Sequence, residues 1–151
     1  MVSRTSFCML LTMGLVLSVC ITDVMGENLV KYYDDGREGT VYFYDKDSVS
    51  QKTGIVKVWD VIRYHGINKD WSSWVDACMD ISKPNSNPNC SLLATVKILN
   101  EINCEKHKYR LLSVMLFDEN GRFIEVSSKQ SDLKNIYPNT VIDELKRHVC
   151  K

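Results

Sequence analysis

The stretch LLATVKILNEINC, residues 92–104, decides how this chain is read. Ala94, Val96, Ile98, Ile102 and Cys104 fall at every second position, with Asn100 the polar member of the series. Thr95, Lys97, Glu101 and Asn103 take the intervening positions together with Leu99. Side chains alternate faces along a strand, so this pattern predicts a strand with one apolar and one mixed face. Cys104 shares the face that points to a core.

The period of two continues in both directions. Upstream, NLVKYY (28–33), TVYFYD (40–45) and IVKVWDVIRY (55–64) are rich in the β-branched and aromatic residues that suit strands. In the last of these Val56, Val58, Ile62 and Tyr64 share one side. DDGREG (34–39) has turn chemistry, and KDSVSQKTG (46–54) is a connector with room for one helical turn. Downstream, EKHK (105–108) turns the chain and YRLLSVMLF (109–117) runs back. DENG (118–121) is a hairpin signal in which Gly121 is free to take positive φ, and RFIEVSS (122–128) is the return strand. Arg110, inside an apolar strand, calls for an acid across the sheet, Glu101 or Glu125. Strands in consecutive hairpins make an antiparallel sheet of about six.

Two stretches leave this pattern. In residues 65–90, Trp71, Trp74, Val75 and Cys78 have helical spacing and precede a loop rich in proline and asparagine. At the end of the chain, TVIDELKRHVCK (140–151) follows Pro138 and opens on Thr140, a good N-cap. Acids (Asp143, Glu144) lie in the first turn and bases (Lys146, Arg147, His148) in the last, the order the helix macrodipole favours. Val141, Ile142, Leu145 and Val149 form an apolar stripe, with Cys150 at its edge. A helix of about ten residues is too short to stand alone in water, so its stripe must dock. The fold class is α+β: a sheet with a C-terminal helix across one face.

The first 26 residues read as a secretory signal: Arg4, an apolar run from Phe7 to Ile21, and a cut after Gly26. The run is about 15 residues, short of the roughly 20 of a membrane-spanning helix. A lipid anchor at Cys20 is the weaker reading, because Val19 is a poor residue before a lipidated cysteine. Residues 27–151 then form a single domain. The signal removes one base and one acid from 19 of each, so the remainder is neutral and carries no electrostatic footprint for nucleic acid.

Four cysteines follow the signal: Cys78, Cys90, Cys104 and Cys150. An even count in an exported chain reads as two disulfides, with three pairings open. Cys78–Cys90 with Cys104–Cys150 is favoured, because the first pair flanks the turn-rich loop and the second ties the tail to the middle of the chain. The rival is a zinc site of Cys104, His107, His148 and Cys150. An oxidising compartment argues against it. The sequence names no metal ligand and no cofactor. It has no nucleophile elbow G-x-S-x-G, and His65, His107 and His148 read as surface or interface groups, so no catalytic residue is assigned. Trp71 and Trp74 are the candidates for a partner-binding surface, since tryptophan is enriched in binding hot spots. Otherwise both cover an edge of the core.

The ordered set VYFYDKDSV, VKVWDV, EINCEKHKYRLLSVMLFDENG, IYPNT and the final VC resembles the surface-adhesin protein E family of bacterial exported domains. Trp59, Asn103-Cys104, Arg110, Asp118 with Gly121, Pro138 and Cys150 carry the resemblance, which spans about Tyr42 to Cys150; residues 65–92 lie outside it. It implies a curved antiparallel sheet whose C-terminal helix is held on the concave face by a disulfide, here Cys104 with Cys150. It also implies an envelope adhesin that binds host matrix and plasma proteins.

The expected function is therefore an exported, non-enzymatic protein-binding module, located in the periplasm, on the outer membrane surface or outside the cell. An edge strand or the concave face could also support a homodimer. The alternative is a periplasmic small-ligand-binding protein or enzyme with its site between sheet and helix.

Overall fold

In the computed structural model, residues 28–81 and 87–151 are described; the signal segment, its cut after Gly26 and Cys20 lie outside them. The chain forms β1 (Leu29–Asp35), β2 (Thr40–Asp45), β3 (Ser50–Lys52), β4 (Ile55–Tyr64), α1 (Lys69–Ile81), β5 (Leu93–Asn103), β6 (Lys108–Asp118), β7 (Phe123–Ser127), β8 (Lys134–Asn135) and α2 (Val141–Val149). All pairings are antiparallel, in the order β1-β2-β4-β5-β6-β7, with β3 on β4 and β8 on β6. The fold is therefore an open antiparallel sheet with two helices, one of them C-terminal.

The six strands read from periodicity are the six lanes of this sheet. The two short extra strands arise because two lanes are broken. β2 pairs with Asp60–Tyr64 of β4, and β3 with Ile55–Lys57. Between β2 and β3 a 3-10 turn, Lys46–Ser48, lifts the chain away, with the Asp45 carboxylate accepting from Asp47 N–H at 3.0 Å. The Ser48 hydroxyl then accepts from Trp59 N–H at 2.9 Å and replaces the missing strand. A second serine does the same beside β6. Ser131, between β7 and β8, exchanges bonds of 3.0 Å with Leu111 through its N–H and its Oγ. Buried backbone groups must be paired, and one hydroxyl in each gap completes the ladder.

Strand parity sorts the sheet into two faces. On one lie Val56, Val58, Ile62, Val96, Ile98, Ile102 and Leu116, all buried. α2 covers this face through Leu145 and Val149, 0% and 4% exposed. Thr140 caps α2 as its side chain accepts from Asp143 N–H. The disulfide Cys104–Cys150 ties the end of α2 to the end of β5 across 46 residues. α1 covers the other end of the face through Val75 and Cys78, and its disulfide Cys78–Cys90 is fully buried.

The opposite face keeps its charges paired. Arg110 sits directly across from Glu101 and bonds it at 2.8 Å; Lys57, on the other side of Glu101, lies 3.7 Å away. Lys97 stacks over Phe117 and Arg63 over Phe43, at 5.0 and 5.1 Å from the ring centres.

Candidate functional site

Near mid-sheet two polar side chains stand on the apolar face, and neither is there by accident of parity. Asp60 falls in the series Val56, Val58, Ile62, Tyr64 of β4, and Asn100 in the series Val96, Ile98, Ile102 of β5. Adjacent registers, Asp60 with Ile98 and Val58 with Asn100, place them on neighbouring strands near mid-sheet. Asp60 is 6% exposed and Asn100 is 2% exposed.

Tyr32 completes the group. The register of β1 against β2 shifts between Lys31 and Tyr33, which leaves Tyr32 as the extra residue of a bulge. Its ring enters the core beside Tyr42, Tyr44 and His148, at 6.0–6.4 Å between ring centres. Its hydroxyl donates to Asp60 Oδ1 at 3.0 Å. Burial pushes the Asp60 carboxyl up to about 7, against the lowering effect of the bonds from Tyr32 and the Val61 N–H. Burial, and then the nearby Asp60 charge, likewise raise Tyr32 well above the ordinary phenol range, so Tyr32 is a neutral donor. Asn100 Oδ1 has no hydrogen-bond partner, although it is shut off from bulk solvent.

These groups line a cavity of about 340 Å³ between the sheet and α2. Asp60, Asn100, Tyr32 and Tyr42 give it a polar and aromatic lining, and Ile62 and Ile98 give it apolar walls. The first residues of α2, Thr140 to Ile142, together with Tyr109 and Leu111, form the remaining wall. The cavity thus depends on α2 being docked, and the Cys104–Cys150 bridge tethers the end of that helix.

The two tryptophans lie elsewhere. Both are half-buried and pack against the core from α1. The Trp71 indole N–H donates to Leu93 O at 2.8 Å, and the Trp74 side chain bonds the Tyr64 hydroxyl. Both rings pack against the core, and the same segment of chain carries Ile67, Met79, Ile81 and Leu92 exposed.

The histidines are apart from the cavity lining. His107 takes a left-handed backbone, φ 51°, in the turn after β5, with its Nδ1 2.9 Å from Lys146 Nζ. His148 Nδ1 lies 3.0 Å from Glu144 O within α2. Among the described residues, no three His, Cys, Asp or Glu side chains converge in a way that could hold a metal ion.

Sequence reasoning singled out Asn100 as a polar exception and missed Asp60. The signal for Asp60 was present: a carboxylate at the same parity as four apolar neighbours. Tyr32 shares the parity of Val30 on the core side, but nothing in the sequence marked its hydroxyl as the partner of Asp60.

The surface-adhesin protein E family model matches residues 30–151, a span that runs through the α1 segment. Among solved structures, Haemophilus influenzae protein E in its selenomethionine form is similar at 17% identity and a TM-score of 0.51, covering 81% of this chain and 93% of that one. A second crystal form of the same protein gives 15% identity and a TM-score of 0.51, covering 81% and 94%. At these identities the structures establish a shared fold. No curated protein sequence matches the chain.

Proposed function

The chain belongs to the surface-adhesin protein E family, and from that premise we propose that it is an exported, non-enzymatic cell-envelope module that binds a protein partner. The observation that carries this reading is the family match over residues 30–151. The contact surface is α1 with its flanking residues Ile67 and Leu92. It offers the exposed parts of Trp71 and Trp74 and the exposed Ile67, Met79, Ile81 and Leu92. Four exposed apolar side chains in one short segment are what a binding surface needs and what a purely structural arm would not require.

The Cys78–Cys90 bridge fastens α1 to the residues just before β5, and such pre-ordering lowers the entropy lost on binding. The partner class is a host matrix or plasma protein, or another envelope protein.

The test combines location with binding. Protease shaving of intact cells should clip the protein, and mass spectrometry of the mature N-terminus should show cleavage before Glu27. The double variant Met79→Asp/Ile81→Asp should lose binding to immobilised matrix and plasma proteins with its melting temperature unchanged. Full protection of the protein until the outer membrane is breached would sink a direct adhesin role.

A further inference from the structure

The geometry points to a second binding site, independent of the protein-binding surface: the cavity under α2 takes a small organic ammonium ion with an apolar body. The lining presents acceptors without a matching cation. Asp60 is buried and receives a hydrogen bond from a neutral donor, the Tyr32 hydroxyl. Among the described residues no lysine, arginine or histidine lines the cavity, although the His148 ring, outside the lining, packs 6.0 Å from that of Tyr32. A buried carboxylate without a countercharge is unfavourable, and its burial is what raises its proton affinity. Asn100, 2% exposed, is a second polar side chain in the same lining, and among the described residues its Oδ1 has no hydrogen-bond partner. A buried acceptor left unmade is rare in native proteins and calls for an explanation. An ammonium group supplies both a positive charge for Asp60 and N–H donors for Asn100.

The rest of the lining fits the rest of such a ligand. Tyr32, Tyr42 and Tyr109 contribute three aromatic rings, whose faces attract cations. Ile62, Ile98 and Ile142 provide apolar surface for a hydrocarbon body. A cavity of about 340 Å³ is within the range of small-molecule sites.

An anion is disfavoured by the same groups. Among the described residues the positive feature at the wall is the start of α2, and it is already occupied. The Thr140 hydroxyl accepts from Asp143 N–H, and the Asp143 carboxylate accepts from Asn139 N–H at 3.2 Å. Asp143 and Glu144 in the first turn then offset the helix's positive end.

Calorimetric titration of the oxidised full chain with three probes of one shape tests the assignment: phenethylammonium, phenethyl alcohol and hydrocinnamate. Phenethylammonium should bind saturably and at least about tenfold more tightly than the alcohol, with hydrocinnamate weakest. Asp60→Asn, which keeps the shape, should weaken phenethylammonium by about tenfold or more and narrow its advantage over the alcohol. Asn100→Leu should weaken it as well, and it carries the test if Asp60→Asn does not fold by near-ultraviolet circular dichroism. Three results would each overturn the assignment: no saturation up to about 10 mM, hydrocinnamate binding as tightly as the amine, or full amine affinity in a folded Asp60→Asn or Asn100→Leu protein.

Discussion

Removing the Cys104–Cys150 bridge should cost more than removing the Cys78–Cys90 bridge, and the damage should begin at α2. The perturbation is the pair Cys104→Ser/Cys150→Ser, set against Cys78→Ser/Cys90→Ser, so that neither protein carries a new free thiol. The first bridge closes a loop of 46 residues and the second a loop of 12. On the chain-entropy account, these closures remove about 4 and about 3 kcal/mol of unfolded-state freedom. For a domain of this size, about 4 kcal/mol corresponds to a fall of roughly 10–20 °C in melting temperature. The structure adds a local effect. α2 has nine residues and is unstable alone, so without its tether it is held mainly by Leu145 and Val149, each contributing roughly 1.5–3 kcal/mol by burial.

Urea unfolding, followed by tryptophan fluorescence, measures the global loss for each pair. Amide hydrogen exchange measures where it falls. Protection in Val141–Val149 should collapse before that of β4 and β5, and phenethylammonium binding should vanish with it. If the two serine pairs lose equal stability, or if α2 keeps full protection without its bridge, the docking account is wrong.

Leu145→Ala, at a site with no solvent access, should cost about 2–5 kcal/mol through lost burial and an unfilled cavity, read from denaturant midpoints. Trp71→Phe should cost about 1 kcal/mol, because it leaves Leu93 O without its indole donor; a neutral result would return Trp71 to the surface. Asp60 makes stability depend on pH. Its carboxyl titrates near 7 in the folded protein against 3.8 unfolded, so the folded state holds the proton more tightly and stability is lost as pH rises between those values. The loss is at most about 4 kcal/mol and should be absent from Asp60→Asn when both proteins are melted from pH 4 to 8. Glu101→Gln should lower stability by about 1 kcal/mol or less, since Arg110 and Lys57 remain partly in water when their shared partner loses its charge.

How much of this was legible in the sequence follows from what each feature depends on. Strands β4, β5 and β6 were readable because their faces differ, and a period of two records that difference directly. The Glu101–Arg110 pair was readable because hairpin strands place such residues opposite each other. The short strands β3 and β8 were not, because what continues each lane past its break is one serine hydroxyl, and a serine in a connector has no distinguishing pattern. α1 was legible as a helix, but the direction of its tryptophans was not: Trp71 is fixed by a carbonyl 22 residues away. The cavity was the least visible feature. It needs Asp60 and Asn100 on adjacent strands, Tyr32 reaching Asp60 from β1, and the start of α2 as a wall, and only tertiary pairing brings these together.

The Cys104–Cys150 bond also makes a ring of β6, β7, β8 and α2. Within that ring, residues 128–133 have no regular structure, and Lys129 and Leu133 are exposed, which makes the stretch open to proteases. A cut there breaks the backbone without releasing a fragment, because the two pieces stay joined through the two sulfurs. The downstream piece would still have α2 resting on β1, the first strand of the sheet. For a protein exposed to hostile enzymes, the bridge converts a severing event into a nick. The nicked form would migrate as one band on a gel until a reductant is added.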